Sequence, residues 1–320
     1  MGQNRKGATA VEQIYPSYYR DFKCIQGACR HNCCIGWEID IDPDTAAFYD
    51  TVEGELGRRL RQNIDRQGEP HFILGEGERC PFLNGDNLCD IILELGEEHI
   101  CGICTDHPRF RNELPGRVET GLGLCCEEAA RLILSWPGPV KLVGAAGACD
   151  DDIIALRDEA MCLLQDREKP ISHRVEEMLA LCGASLPQKT MEQWAEILLS
   201  LERLDESWTA RLLQLRERGD HADLAAFDGY MACRQEEYEQ LLVYFLYRHL
   251  ANACDEVDLA ARAAFAALGY EIIHRLGAII WMETGEFSFP QQVELARLFS
   301  SEIEYSDENL DILLDELAFG

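Results

Sequence analysis

The sequence predicts a mainly α fold, and three observations predict it. Beyond Asp150 the apolar residues recur at helical spacing to the end of the chain. Before that point, short apolar segments are broken by Gly, Pro and Asn, which leaves room only for short strand pairs. Ten of the fifteen cysteines fall between Cys24 and Cys126, in tight groups. Thiolates are soft ligands for zinc, copper(I) and iron–sulfur clusters, so this concentration points to a metal centre. The expected architecture is an irregular cysteine-rich N-terminal metal-binding domain over residues 13–145, packed on an all-α helical domain over residues 146–320, after a flexible tail over residues 1–12.

The elements follow in order. Asp40-Ile41-Asp42-Pro43-Asp44 reads as a turn, with Asp44 as N-cap of a helix from Thr45 to about Arg61. Gly75-Glu76-Gly77 and Asn84-Gly85-Asp86-Asn87 are turns on either side of Cys80-Pro81-Phe82-Leu83. Glu127 to Leu134 reads as a helix with acids at its start, which places a thiol of Cys125-Cys126 at a helix N-terminus, where thiolate charge is favoured. Asp150-Asp151-Asp152 opens a helix carrying Ile153, Leu156, Ala160, Leu163 and Leu164. Thr190-Met191-Glu192-Gln193 has capping-box form ahead of Trp194, Ile197, Leu198 and Leu201, and Gly219 after Arg216 and Arg218 is a helix stop. Two further helices carry Tyr238 to Leu246 and Leu268 to Ile279. Cys149, Cys162, Cys182, Cys233 and Cys254 stand alone on helical faces and read as small buried hydrophobes.

Composition bounds the function. A net charge of −29 argues against nucleic acid as partner, because phosphate binding needs clustered Lys and Arg. It suits a basic protein surface as well as ordinary solubility. No apolar run reaches the roughly 18–20 residues that cross a bilayer; the longest, around Leu241–Leu246 and Gly277–Met282, are short and flanked by charges. Arg5 and Lys6 are not followed by an apolar stretch, so no signal peptide is expected, and Lys6 stands where a myristoylation motif wants Ser or Thr. The expected location is cytoplasmic, without membrane association. Thiols stay reduced there, and an odd cysteine count leaves one unpaired, so metal gains what disulfides lose.

The cysteine groups differ in what they offer. Cys24, Cys29, Cys33 and Cys34 lie within eleven residues, and adjacent Cys33 and Cys34 point to opposite sides unless a turn separates them. Cys80 and Cys89 face each other across a turn, as zinc knuckles do. Cys101-Gly102-Ile103-Cys104 is a CxxC without a thioredoxin-like setting, hence a ligand source. His107 next to it is a candidate proton-transfer group or ligand, with a surface histidine as the plain alternative. Arg109 is a candidate carboxylate clamp, or one half of an internal salt bridge. P-loop, HExxH and GxSxG motifs are absent.

Tyr18-Tyr19-x-Asp21-Phe22-Lys23-Cys24 with Cys29, Cys33-Cys34 and Gly36-Trp37 resembles the opening of the flagellin lysine N-methylase family. Cys80-Pro81-Phe82-Leu83, Leu88-Cys89, Leu95-Gly96-Glu97-Glu98, Cys104 ahead of Pro108-Arg109, and Cys126 ahead of Glu128-Ala129-Ala130-Arg131-Leu132 continue the likeness over about residues 15–135. The cysteine core is also similar to a broader group of iron- or zinc-chelating proteins. The resemblance implies methyl transfer from S-adenosylmethionine to lysine ε-amines of flagellin. It further implies an iron–sulfur cluster of the 4Fe–4S type, with Cys24, Cys29, Cys33, Cys34, Cys80, Cys89, Cys104 and Cys126 at the matching positions. Cys101 and Cys125 are extras relative to the pattern, and the CxxxCxxC signature of radical chemistry is absent. Displacement at a methyl sulfonium needs a neutral amine, for which His107, Glu127 and Glu128 are candidate bases, with Arg109 beside them. Two other readings stand: a zinc-organised scaffold without catalysis, and an iron–sulfur electron carrier or redox sensor.

Overall fold

The computed structural model describes residues 11–144 and 151–320. Most of the expected tail, together with Cys149 and Asp150, lies outside them. Fourteen α-helices and six strands are present among the described residues, and two compact units divide the chain: Lys23–Phe110, and Met1–Phe22 with Arg111–Gly320.

The Lys23–Phe110 unit is built from short pieces. Helix α1 is Pro43–Thr51 and α2 Gly54–Gln62. The sequence suggested one helix here, capped by Asp44; instead the chain breaks at extended Val52 and Glu53, and Asp42 is the N-cap, accepting the Thr45 N–H at 2.9 Å with Pro43 in the first turn. Strand β1 (Glu12–Pro16) belongs to the other unit; in this one β2 (Ile64–Asp65) pairs β3 (His71–Phe72) antiparallel, Ile64 opposite Phe72. Helices α3 (Asp90–Leu95) and α4 (Gly102–Asp106) complete the unit. Ile39, Ile41, Tyr49, Leu56, Leu60 and Phe82 are buried together at its centre.

The second unit carries more sheet than short pairs. Strands β4 (Arg109–Leu114), β5 (Arg117–Leu122) and β6 (Leu142–Val143) join β1 in the order β4-β5-β1-β6. β1 runs parallel to β5, Ile14 opposite Glu119, and antiparallel to β6, Tyr15 opposite Val143. No local alternation announces a parallel pairing between segments a hundred residues apart in sequence. Glu119 is fully buried on this sheet and is held by the guanidinium groups of Arg117 and Arg157, which is what makes a buried carboxylate tolerable.

The helices of this unit are α5 (Glu127–Leu134), α6 (Asp152–Leu164), α7 (Ile171–Leu181), α8 (Met191–Ser200), α9 (Glu206–Arg218), α10 (Leu224–Tyr230), α11 (Gln235–His249), α12 (Glu256–Thr284), α13 (Phe289–Phe299) and α14 (Asp307–Phe319). The Thr190–Gln193 capping box forms in both directions, and Gly219 follows the last residue of α9. Helix α12 reaches 29 residues, and its most apolar 18-residue stretch has a mean hydropathy of 1.3. By length and composition it meets the requirement for a membrane span that no run in the sequence was read as meeting. It is 83% buried in that stretch, as a core helix against α11, α13 and α14. Gly269 permits that packing: a Cβ there would stand 2.9 Å from the Phe245 ring. Between α13 and α14 a π turn, Ser300–Glu304, places Glu304 against the Tyr244 hydroxyl at 3.0 Å and His249 Nε2 at 2.6 Å.

Candidate metal centre

Five thiols share the hydrophobic core of the Lys23–Phe110 unit: Cys80 and Cys101 are buried in it, and Cys34, Cys89 and Cys104 pack against it. Backbone pairing brings four separate segments there. Cys80 N–H donates to the Cys34 carbonyl at 2.8 Å, and Ile35 pairs with Arg79, which ties the first cysteine group to the second. Leu83 pairs with Cys89 across the Asn84–Asn87 turn, where Asn87 sits at φ +57°, and Arg79 closes the loop by donating to Asn84 O at 2.6 Å and Asn87 Oδ1 at 3.0 Å. Asp42 fixes the CxxC: its second oxygen accepts the Gly102 N–H at 2.9 Å, so one carboxylate caps both α1 and α4. Arg59 holds Asp90 at 2.8 Å and the Pro81 carbonyl at 3.1 Å.

The thiols feel one another. Cys101 and Cys104 sulfurs stand 3.3 Å apart, the Cys104 hydrogen bond lowering the Cys101 pKa while Cys104 itself is pushed far up by Cys101 and by burial. Cys33 and Cys34 share a side-chain hydrogen bond in the same way; it brings Cys33 down to about 7 and drives Cys34 up, helped by burial and by the neighbouring Cys80 and Cys89. The turn that adjacent cysteines need is therefore present: Asn32 Oδ1 accepts the Cys34 N–H at 2.9 Å, and Ile35 N–H returns to Asn32 O. Burial raises Cys80 to about 11 and raises Cys89.

The other expected ligands lie elsewhere. Cys24 is exposed and accepts the Gln26 N–H at 3.3 Å, and Cys29 donates to the His31 carbonyl at 3.2 Å. Their turn packs on the Cys80–Cys89 loop, since a Cβ on Gly27 would stand 2.7 Å from Asp86 O. Cys126 is the N-cap of α5, in the other unit, as is Cys125, whose thiol burial pushes up to about 12. The charge-stabilised thiolate expected of that pair is not what Cys125 provides. Cys101, set aside as an extra, belongs to the thiol core; its local signal is the CxxC spacing itself.

Among the described residues no three His, Cys, Asp or Glu side chains stand at metal-binding spacing, and the described cysteines are all free thiols. The donor chemistry nevertheless fits a thiophilic centre. Five sulfurs from four segments pack in or against one apolar core and feel one another's charge, and soft sulfur donors are the type that iron–sulfur clusters and structural zinc take.

Of the candidate catalytic groups, His107 follows α4, its ring 6.1 Å from that of Trp37, and burial together with Arg109 brings its pKa down to about 4. It is a neutral imidazole at pH 7, able to accept a proton. Arg109 donates to the Thr105 carbonyl at 2.9 Å. Glu128 lies in the other unit, where Arg131 engages both its oxygens at 2.7 Å.

Residues 186–319 match the family described as the FliB lysine N-methylase C-terminal domain. Over 135 residues, 40% of this chain, the sequence is 30% identical to proteins named lysine-N-methylase in Salmonella choleraesuis and Salmonella typhimurium. The matched stretch spans about a third of those relatives, 33% of their length. A flagellar biosynthetic protein FliU of Salmonella muenchen is 29% identical over 135 residues, 79% of its own length. No solved structure matches.

Proposed function

We propose that the chain is a member of the lysine N-methylase family that it resembles, and on that premise that it is a cytoplasmic protein lysine N-methyltransferase that moves methyl groups from S-adenosylmethionine to lysine side chains of flagellin. The match of the C-terminal domain carries this reading. S-Adenosylmethionine supplies an electrophilic methyl on a sulfonium. The lysine nitrogen lone pair attacks that carbon as the carbon–sulfur bond breaks, the thioether leaves neutral, and the ammonium proton passes to a base. His107, kept neutral by burial and by Arg109, is the candidate in the thiol unit to relay that proton to solvent, its lowered pKa making it a carrier and not a store. Glu128 serves less well, because Arg131 occupies both its oxygens.

We further propose that Cys34, Cys80, Cys89 and Cys104 hold a 4Fe–4S cluster, with Cys101 as a fifth sulfur and Cys33 at the edge. Such a cluster supplies a Lewis-acidic iron or an electron-transfer centre. The chain's own contribution would be an apolar core beside the sulfurs and loops preset by the Arg79 and Asp42 hydrogen bonds.

The test is anaerobic purification with metal analysis and an absorption spectrum, followed by transfer of labelled methyl to flagellin. About four irons and a broad band near roughly 400 nm are expected. Cys34→Ser, Cys80→Ser and Cys89→Ser should lose most of the metal, whereas Cys24→Ser and Cys29→Ser retain it. Stoichiometric zinc in a colourless sample overturns the cluster and favours a zinc-organised centre. Absence of methyl transfer by the iron-loaded full chain overturns the methylase.

A further inference from the structure

A groove of about 780 Å³ opens in the helical unit where α6 and α12 begin and where α7 and α14 end. Its floor is aliphatic: Ile153, Leu156, Leu181 and Leu259 are each left half-buried there, and Val257 is 50% exposed. An aliphatic floor that the helix ends leave open to solvent can seat apolar side chains of another chain. The rim is acidic, with Asp152, Asp255 and Glu256, and among the described residues none that lines the groove is Lys, Arg or His.

The caps account for part of that acidity. Asp151 accepts the Ile153 and Ile154 N–H groups, and Asp255 accepts that of Asp258. Asp152 and Glu256 sit beside them in the first turns. Each helix start offers about half a positive charge, so four carboxylates outweigh the two dipoles and the groove keeps a negative field. A second copy of this chain, at −29, is repelled by that field, as is an anionic membrane surface. The complement is a polypeptide with aliphatic side chains on one face and lysines flanking them.

We infer that this groove docks a lysine-bearing amphipathic segment of the protein substrate. The inference rests on the methylase reading and deepens it, because the floor grips the segment's apolar face while the rim selects for the cationic side chains that the reaction consumes. Val257 and Glu256 are docking residues and touch no reacting atom.

The experiment uses the full chain and a fluorescein-labelled synthetic amphipathic helix of leucine, alanine and lysine, read by anisotropy. Its counterpart carries glutamate for lysine. The lysine helix should bind and the glutamate helix should not. Asp152→Lys/Glu256→Lys and, separately, Val257→Ser should weaken binding about tenfold. Glu196→Lys/Glu217→Lys, the same charge change on exposed positions elsewhere in the unit, should change it less than about twofold. Equal losses in the groove and control variants, or none in either, overturn the groove, as does concentration-dependent self-association that the groove variants abolish. Flagellin kinetics separate the two claims. An unchanged KM in Asp152→Lys/Glu256→Lys, with methylation intact, overturns docking and leaves the methylase standing. Groove-dependent peptide binding by a chain that methylates nothing does the reverse.

Discussion

Cys33 and His107 are residues whose surroundings move their titration within reach of experiment. The Cys34 thiol donates to Cys33 and brings it to about 7, so exposed Cys33 is half thiolate at neutral pH. In reduced, metal-free protein, iodoacetamide should alkylate Cys33 ahead of the other five thiols of the centre, with a rate half-maximal near pH 7. Cys34→Ala should shift that profile up toward an ordinary thiol; an unmoved profile would remove the hydrogen bond from the account. For His107, burial holds the folded pKa near 4 against about 6.5 in the unfolded chain. Between those values the unfolded state binds the extra proton, so stability is lost as pH falls from about 6.5 to 4, by about 1–3 kcal/mol. Urea midpoints of metal-free protein at pH 7 and pH 4.5 test the sign: His107→Gln should show the smaller drop, and equal drops would place the imidazole in water.

Asp42 matters through the elements it joins. With one oxygen on Thr45 and the other on Gly102, it satisfies a helix start in α1 and another in α4, and those donors hold its carboxyl below the usual range despite desolvation. Asp42→Ala should cost about 2 kcal/mol, roughly 1 for each lost cap, and loosen the CxxC enough to lower metal retention. Asp42→Asn should recover much of both. Unchanged urea unfolding in Asp42→Ala would sink the argument. Elements with purely local causes were legible in the sequence: the Thr190 capping box, the Glu127–Leu134 helix and the Gly219 stop formed as read. The break at Val52–Glu53 was not legible, because the helical pattern of Thr45–Arg61 continues across it. Nor was the β1–β5 pairing, which only tertiary packing selects. At the candidate site the spacing of the cysteines foretold the Cys80–Cys89 loop. It did not foretell that Cys24 stays on the surface and Cys29 outside the core while Cys101 turns inward, since that choice depends on which sulfurs the core of Ile39, Tyr49 and Phe82 covers.

The whole molecule carries −29 at pH 7, a field that reaches about 8–10 Å in physiological salt. If that field gathers lysine-bearing substrate, raising the salt should raise KM for flagellin several-fold with kcat nearly unchanged. A KM indifferent to salt would assign the charge to solubility alone. A different consequence follows from where the core sulfurs sit along the chain. Cys34 and Cys80 are separated by on the order of fifty residues, and one ion on both would close that span as a staple, removing several kcal/mol of freedom from the unfolded chain. The Lys23–Phe110 unit would then melt at a temperature set by metal supply and chelators, while the helical unit melts at one set by its own packing. Calorimetry of loaded and stripped protein would show one transition moving past a stationary one, and in a cell starved of that metal the cysteine half would be the first to meet a protease.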